Sequence, residues 1–262
     1  MARSAWLLWY VMERMLGWFT EGLITMNRYD HELARDHRFI RRRDSILRAN
    51  GVGVDAGHFD RLCRETDAGA VKRELGLAPN APMVLLLAWT LPNKGIREFL
   101  EAARRLVDNR VPGCFVIGGH GPLDGEIAGF IDRHGLNERV FHLGWRRDAH
   151  RLIAACDVYV LPTYYPEGMP VSILEAMACG RPVVATRHRG CEDEVVDGVT
   201  GLLVEPQDPG ALAEAIRTLI EDPDKARRFG QAGRRRIDEG FRTDQSTRAI
   251  LAAFEKITAH GS

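Results

Sequence analysis

Residues 158–186 read VYVLPTYYPEGMPVSILEAMACGRPVVAT, and this stretch decides the fold of the chain. Its first four residues form an apolar run, and a loop with three prolines and a glycine follows. Residues 171–179 then place apolar side chains at helical spacing, and 182–186 form a second apolar run. A strand, a helix and a second strand in this order predict a parallel pair joined by a crossover helix.

The same alternation extends to both sides of this unit. Further strands are predicted at 83–89, 114–118, 140–143 and 201–204. Further helices are predicted at 95–107, 125–134, 148–155, 211–220, 223–230, 231–239 and 243–257. Six short apolar strands that alternate with helices predict the α/β class: a doubly wound, Rossmann-like parallel sheet with flanking N- and C-terminal helices. Right-handed crossovers place the connecting helices on both faces.

The first 30 residues contain three of the five tryptophans, Trp6, Trp9 and Trp18. Apolar residues recur there at helical spacing, namely Leu8, Met12, Met15, Leu16 and Phe19. This pattern predicts an amphipathic helix that needs a partner surface, either the rest of this chain or a membrane interface. Packing within the chain is favoured because the polar side lacks a strongly basic character. A strand at 23–26 and a polar helix at 29–36 are predicted next.

Composition excludes several classes of protein. The chain has 262 residues, 36 Lys+Arg and 36 Asp+Glu, so its formal net charge is zero, and 45% of its residues are hydrophobic. These values are typical of a globular protein and argue against a nucleic-acid partner. Five cysteines without a CxxC pair indicate reduced thiols in a cytoplasmic protein. No stretch approaches the ~20 apolar residues that a transmembrane helix needs.

Ligands of open α/β sheets bind beyond the carboxyl ends of the strands, so the loops there are the candidates. The loop after the first strand of the sheet, 90–95 (TLPNKG), carries Lys94. The loop after the second, 118–122 (GGHGP), contains Gly119 and Gly121, which allow a ligand close to the backbone. Its spacing differs from G-x-G-x-x-G, so the dinucleotide fingerprint is absent.

The loop and helix at 162–180 contain two carboxylates, Glu167 in the turn and Glu175 in the helix. The free amides of the helix start lie between them and form an anion site. A ligand with hydroxyl groups at two places and a phosphate between them would suit this arrangement. The other interpretation is a turn glutamate and a solvated helix glutamate without a ligand. Spacing alone leaves both open.

Glu167 and Glu175 form an E-x7-E pair, and residues 164–186 resemble the donor-site signature of retaining glycosyltransferases of family 4, which have the GT-B fold. Other segments match that family in order. They are 50–59 (NGVGVDAGHF), 91–95 (LPNKG), 118–122 (GGHGP), 140–145 (VFHLGW) and 197–208 (DGVTGLLVEPQD). The resemblance covers roughly residues 20–258, and it is specific because several spaced motifs agree.

The resemblance implies a role for each matching residue. Glu175 would bind the ribose hydroxyls of a nucleotide sugar, Glu167 would meet a hydroxyl of the transferred sugar, and Lys94 would neutralise the departing diphosphate. The sugar and diphosphate would be held by backbone at Gly168, Met169, Val171 and Ser172, with Gly119 and Gly121 nearby. No cofactor is implied beyond the nucleotide sugar itself, and no metal ion.

Two departures from the family are visible. Trp89 stands where the family usually has an arginine, five positions before Lys94. Only about 50 residues precede the donor domain, which predicts that residues 1–60 are a helical remnant of an acceptor domain plus a linker. Residues 61–222 would then bind the nucleotide sugar, and 223–262 would form C-terminal helices. An apolar helix without its usual core would associate with itself, a partner chain or a membrane.

The predicted activity is transfer of a hexosyl unit, with retention, from a nucleotide sugar to a saccharide or lipid-linked acceptor. The alternative is a non-catalytic nucleotide-sugar-binding subunit that needs a separate acceptor-domain chain. An epimerase on the same fold is a third interpretation, which the E-x7-E pair disfavours. The expected location is cytoplasmic and peripheral at the inner face of the membrane.

Overall fold

The chain forms a six-stranded parallel sheet in the computed structural model, which describes residues 3–259 except for the side chains of residues 3–6 and 43. The side chain of Trp6 therefore lies outside the described residues. The strands are β1 (Leu23–Thr25), β2 (Ile46–Arg48), β3 (Met83–Leu87), β4 (Cys114–Gly118), β5 (Val140–His142), β6 (Val158–Leu161), β7 (Val183–Thr186) and β8 (Gly201–Val204). The large sheet has the order β5-β4-β3-β6-β7-β8, which confirms the predicted α/β class. β1 and β2 form a separate parallel pair.

The helices of the described residues are α1 (Arg3–Leu16), α2 (Arg28–Asp36), α3 (Ala56–Glu65), α4 (Ala68–Glu74), α5 (Ile96–Asp108), α6 (Asp124–Arg133), α7 (Ala149–Ala155), α8 (Val171–Ala178), α9 (Cys191–Glu194), α10 (Pro209–Glu221), α11 (Pro223–Gly240) and α12 (Thr243–Ala259). They cover both faces of the large sheet, except that α1 and α2 pack beside β1 and β2. Alternate residues of β3 point to opposite faces. Met83 and Leu85 pack with α3, α4, α7 and α8, whereas Val84 and Leu86 pack with α5, α6 and α10.

Helix α11 corrects one prediction. The sequence predicts two helices at 223–230 and 231–239, but the structure has one continuous helix. Gly230 does not break it, because this glycine allows close packing instead. A Cβ placed on Gly230 would lie 2.0 Å from the carbonyl oxygen of Gly180, so the helix approaches the chain between α8 and β7 where only a hydrogen fits.

Two helices ahead of the sheet, α3 and α4, were not predicted. Each begins after an aspartate whose side chain accepts a hydrogen bond from a backbone amide of the first turn. Asp55 accepts from His58 at 3.0 Å, and Asp67 accepts from Ala70 at 3.1 Å. Aspartate is a preferred N-cap residue, so the signal for both helix starts is present in the sequence.

Helix α1 forms as expected, but the favoured expectation that its apolar face packs within the chain is wrong. Phe19 is 90% exposed, and Leu8, Met12, Met15 and Leu16 are also exposed. The reason is the small size of the adjacent core, whose buried residues in the described part of the chain are Ala34, Phe39, Ile40 and Ile46. Within the described part, Trp9 meets that core edge-on, with 5.3 Å between its ring centre and that of Phe39.

No helix in the described part of the chain is both long and apolar enough to cross a bilayer. All five cysteines are free thiols, and four of them are buried.

Candidate functional site

The site lies where the direction of strand addition reverses. β4 and β5 follow β3 toward one edge of the sheet, whereas β7 and β8 follow β6 toward the other. Because β3 and β6 are parallel neighbours, the loops after them leave the same edge side by side and open a crevice between them. Lys94 follows β3, and Glu167 follows β6.

Lys94 and Glu167 form an ion pair between the Lys94 Nζ atom and the Glu167 Oε1 atom. Both side chains are mostly buried, at 17% and 14% exposed. The same carboxylate oxygen accepts a hydrogen bond from the hydroxyl of Thr163 at 3.1 Å. The ring of Tyr165 lies 4.8 Å from the Lys94 ammonium. The structure therefore brings together two residues that are 73 positions apart in the sequence.

Backbone contacts between the two loops fix this pair. The carbonyl of Asn93 accepts hydrogen bonds from the Tyr164 amide at 3.0 Å and from the Thr163 hydroxyl at 3.2 Å. Gly95 adopts a left-handed conformation (φ 74°), and a Cβ there would lie 2.1 Å from the carbonyl oxygen of Pro162. Glycine is therefore required next to Lys94, because the two loops touch at this point.

The turn that carries Glu167 leads into α8. Pro170 precedes the helix, and its side chain makes no capping hydrogen bond to the first amides. The start of an α-helix leaves amides without intrahelical partners and carries partial positive charge, which favours an anion. The turn is held from the N-terminal side, because the buried Asn27 donates a hydrogen bond from Nδ2 to the carbonyl of Gly168 at 2.9 Å.

The four residues predicted to line this helix start differ in exposure. Gly168 and Val171 are exposed, whereas Met169 and Ser172 are half-buried. Met169 packs against the core beneath α8, and a Cβ on Gly51 would lie 2.6 Å from its sulfur. The backbone at Gly168 and Val171 is therefore the part of this set that is most open to a ligand.

Glu175 lies farther along α8 and does not contact Lys94 or Glu167. Its Oε1 atom is 3.2 Å from Nε2 of His150 on α7. Burial raises the pKa of the Glu175 carboxyl, and the nearby His150 and His58 act in the opposite direction. The predicted ribose residue therefore has a basic partner that the sequence analysis missed.

A cleft of about 250 Å³ opens at the ends of β3 and β4, next to the start of α7. Trp89 and Trp145 line it, and both side chains are 65% exposed. Trp89 thus stands at the cleft in place of the arginine that the family resemblance led us to expect. Exposed indole rings beside a cleft can stack on a flat ring.

The two glycines predicted to bind the ligand use their amides within the protein. Gly119 donates to the carbonyl of Gly144 at 2.8 Å, and Gly121 donates to Oδ1 of Asp124 at 3.0 Å. A Cβ on Gly119 would lie 1.8 Å from the carbonyl oxygen of Ala88. Gly119 lines the cleft, and its lack of a side chain leaves room there for a ligand.

Glu194, at the end of α9, is a buried residue that the sequence analysis missed. It is fully buried, and neither carboxyl oxygen has a hydrogen-bond partner in the described part of the chain. Burial raises its pKa well above the usual value, the negative charges of Asp193 and Glu167 add to this, and Arg236 opposes it. Its neighbours in sequence, CED and VV, give no signal that separates it from the exposed Glu192.

Comparison with known proteins identifies one family model, described as "Glycosyl transferases group 1", that matches residues 68–236. Two relatives are named by their reactions. The N,N'-diacetylbacillosaminyl-diphospho-undecaprenol alpha-1,3-N-acetylgalactosaminyltransferase of Campylobacter jejuni is 37% identical over 205 residues. The UDP-Gal:alpha-D-GlcNAc-diphosphoundecaprenol alpha-1,3-galactosyltransferase of Escherichia coli is 28% identical over 207 residues. Each match covers 78% of this chain and 52% of the relative, so the chain spans about half the length of these proteins.

Solved structures show the same fold. Anabaena Alr3699/HepE in complex with UDP-glucose aligns with a TM-score of 0.80 at 25% identity. The alignment covers 94% of this chain and 66% of that chain. The structural neighbours of the chain are glycosyltransferases of the GT-B type, in agreement with the predicted fold class.

Proposed function

Because the chain belongs to the glycosyl transferases group 1 family, we propose that it transfers a hexosyl unit from a nucleoside diphosphate sugar to a saccharide or lipid-linked acceptor, with retention. The observation that carries this proposal is the position of Lys94. It is a cation in the crevice between β3 and β6, paired with Glu167 at the turn that leads into α8. A cation and a helix start at one point suit a diphosphate, whose negative charge increases as the sugar leaves.

The remaining predicted residues extend the proposed site in two directions. Glu175 would accept hydrogen bonds from the ribose, and the base would enter the cleft lined by Trp89 and Trp145. Glu167 would accept a hydrogen bond from a hydroxyl of the transferred sugar. We take uridine diphosphate as the first nucleotide to test, because the similar HepE binds UDP-glucose and the similar galactosyltransferase uses UDP-Gal.

Charge neutralisation in this proposal comes from the protein rather than from a metal ion. Lys94 and the start of α8 would hold the diphosphate, and no bound cofactor takes part. Donor binding is assigned to residues 61–222, followed by C-terminal helices at 223–262. Residues 1–60 would contribute to the acceptor side, which the contact between Asn27 and Gly168 supports, since it joins the N-terminal segment to the donor turn.

The proposed location is the cytoplasmic face of the membrane, with peripheral attachment. Three observations support it. The two relatives named above act on undecaprenol-linked sugars, the five cysteines are free thiols, and α1 presents an exposed apolar face. Next to that face, the guanidinium of Arg41 lies 4.4 Å from the ring centre of Trp18, so positive charge adjoins the apolar surface.

Product analysis tests the proposed reaction. The chain would be incubated with radiolabelled UDP-glucose, UDP-galactose or UDP-N-acetylgalactosamine and an undecaprenyl-diphosphate-linked N-acetylhexosamine. We expect a labelled glycolipid with the anomeric configuration of the donor. Binding without product would instead indicate a donor-binding subunit. An isomerised donor would indicate an epimerase, and an inverted product would contradict retention.

A further inference from the structure

Glu175 is held by a second side chain that no motif of the sequence singles out. Its Oε1 atom is 3.2 Å from Nε2 of His150, which is the second residue of α7. The carboxylate is 19% exposed and His150 is 48% exposed, so both side chains are accessible from solvent. The first residue of α7, Ala149, lines the cleft beside the two tryptophans.

His150 is itself fixed by aromatic contacts with α3. Its ring centre is 5.1 Å from that of Phe59 and 5.8 Å from that of His58, and both contacts are edge-to-face. These contacts restrict the ring to an orientation in which Nε2 faces Glu175. An imidazole held by its neighbours can in turn hold a carboxylate at a defined rotamer.

We propose that His150 is a positioning residue for nucleotide binding: it occupies one oxygen of Glu175 and presents the other to the ribose hydroxyls. This inference rests on the proposed function, in which Glu175 binds the ribose. A carboxylate accepts about four hydrogen bonds, so the contact with His150 leaves capacity for a diol. The histidine acts through Glu175 and needs no contact with the transferred sugar.

The charges around the pair give the inference a pH signature. His150 on α7 and His58 on α3 lower the pKa of Glu175. The charge of Glu175 in turn helps to raise the pKa of the buried Tyr159 of β6. On α7, Arg151 is paired with Glu74 of α4 and with Asp148. Burial raises the pKa of Glu175 and the histidines oppose this, so loss of His150 favours the protonated carboxyl. A protonated Glu175 accepts hydrogen bonds less strongly than the ionised form.

Titration calorimetry with UDP on the whole chain tests the proposal. His150→Phe keeps a ring against Phe59 but removes the donor, and it should bind UDP about tenfold more weakly at pH 6 and about threefold more weakly at pH 8. His150→Gln keeps a donor near the position of Nε2 and should bind like the parent at pH 8. His134→Phe is the matched control, because His134 is exposed and contacts the ring of Phe130 away from the cleft.

A second ligand separates positioning from general stability. With 2′-deoxyuridine diphosphate, which lacks one ribose hydroxyl, the parent and His150→Phe should differ by less than about twofold. Unchanged or tighter UDP binding by His150→Phe would overturn the proposal, as would equal losses for both ligands. Glu175→Gln separates the two levels: if it weakens UDP binding and His150→Phe does not, only this inference fails. If Glu175→Gln binds UDP like the parent, the ribose site of the proposed function fails as well.

Discussion

The ion pair between Lys94 and Glu167 leads to a prediction that the sequence motif alone would not give. In the structure, the cation proposed to meet the diphosphate is already neutralised by a carboxylate. Diphosphate binding must therefore compete with Glu167 for Lys94. Glu167→Gln keeps the shape of the side chain and removes its charge, so free UDP should bind the variant more tightly than the parent.

The size of the gain follows from the geometry. Two opposite charges at the ~3 Å separation of an ion-pair hydrogen bond attract by about 5 kcal/mol at an effective dielectric constant of ~20, which sets an upper limit. Solvation of the freed ammonium in the variant cancels much of this, because that solvation is lost again when the diphosphate binds. We expect a net gain of about 1.5 kcal/mol, which corresponds to about tenfold tighter UDP binding.

Calorimetric titration with UDP and with UDP-glucose provides the assay. The gain should be smaller for UDP-glucose, because Glu167→Gln also loses the charged acceptor proposed for the sugar hydroxyl. Glu192→Gln is the matched control, since Glu192 is an exposed glutamate on the neighbouring α9. Equal or weaker UDP binding by Glu167→Gln would refute the reasoning that the pair competes with the diphosphate.

Three further predictions concern stability and charge. The pKa of Glu194 is raised in the folded chain, so the free energy of unfolding decreases as pH rises above the ordinary glutamate pKa. In urea titrations, Glu194→Gln should match the parent near pH 4.5 and exceed its free energy of unfolding by about 1 to 3 kcal/mol at pH 7.5. A difference that stays constant across pH would contradict this. Gly230→Ala should lower the free energy of unfolding by about 1 to 3 kcal/mol. Gly233→Ala in the same helix should lower it less, because its new Cβ would meet the flexible side chain of Met177 at 3.3 Å. The reversed order would argue against close packing at Gly230. Transfer should persist in EDTA and fall at least about tenfold in Lys94→Met, and loss of activity in EDTA would indicate a metal ion instead.

The six strands of the large sheet could be predicted because each is a short apolar run, and buried parallel strands need little else. The loops that carry Lys94 and Glu167 follow directly from those strands. Their contact could not be predicted locally, because it depends on β3 and β6 being neighbours in the order of the sheet. The same holds for His150, whose role depends on α7 lying beside α8.

Other differences have local explanations. The starts of α3 and α4 carry N-cap aspartates, Asp55 and Asp67, which a pattern of apolar runs does not reveal. Gly230 resembles a helix break in sequence, and only the neighbouring backbone shows that it permits close packing. The amphipathic pattern of α1 predicts a helix correctly, but periodicity contains no information on whether a partner covers the apolar face.

The most direct test of the proposed site is a crystal structure of the chain with UDP bound. The account predicts the base between Trp89 and Trp145, the ribose on Glu175, and the diphosphate at the start of α8. The Lys94 ammonium would then have left Glu167 and would lie within about 3 Å of a phosphate oxygen. UDP bound at another edge of the sheet, or a diphosphate that does not contact Lys94, would contradict the account.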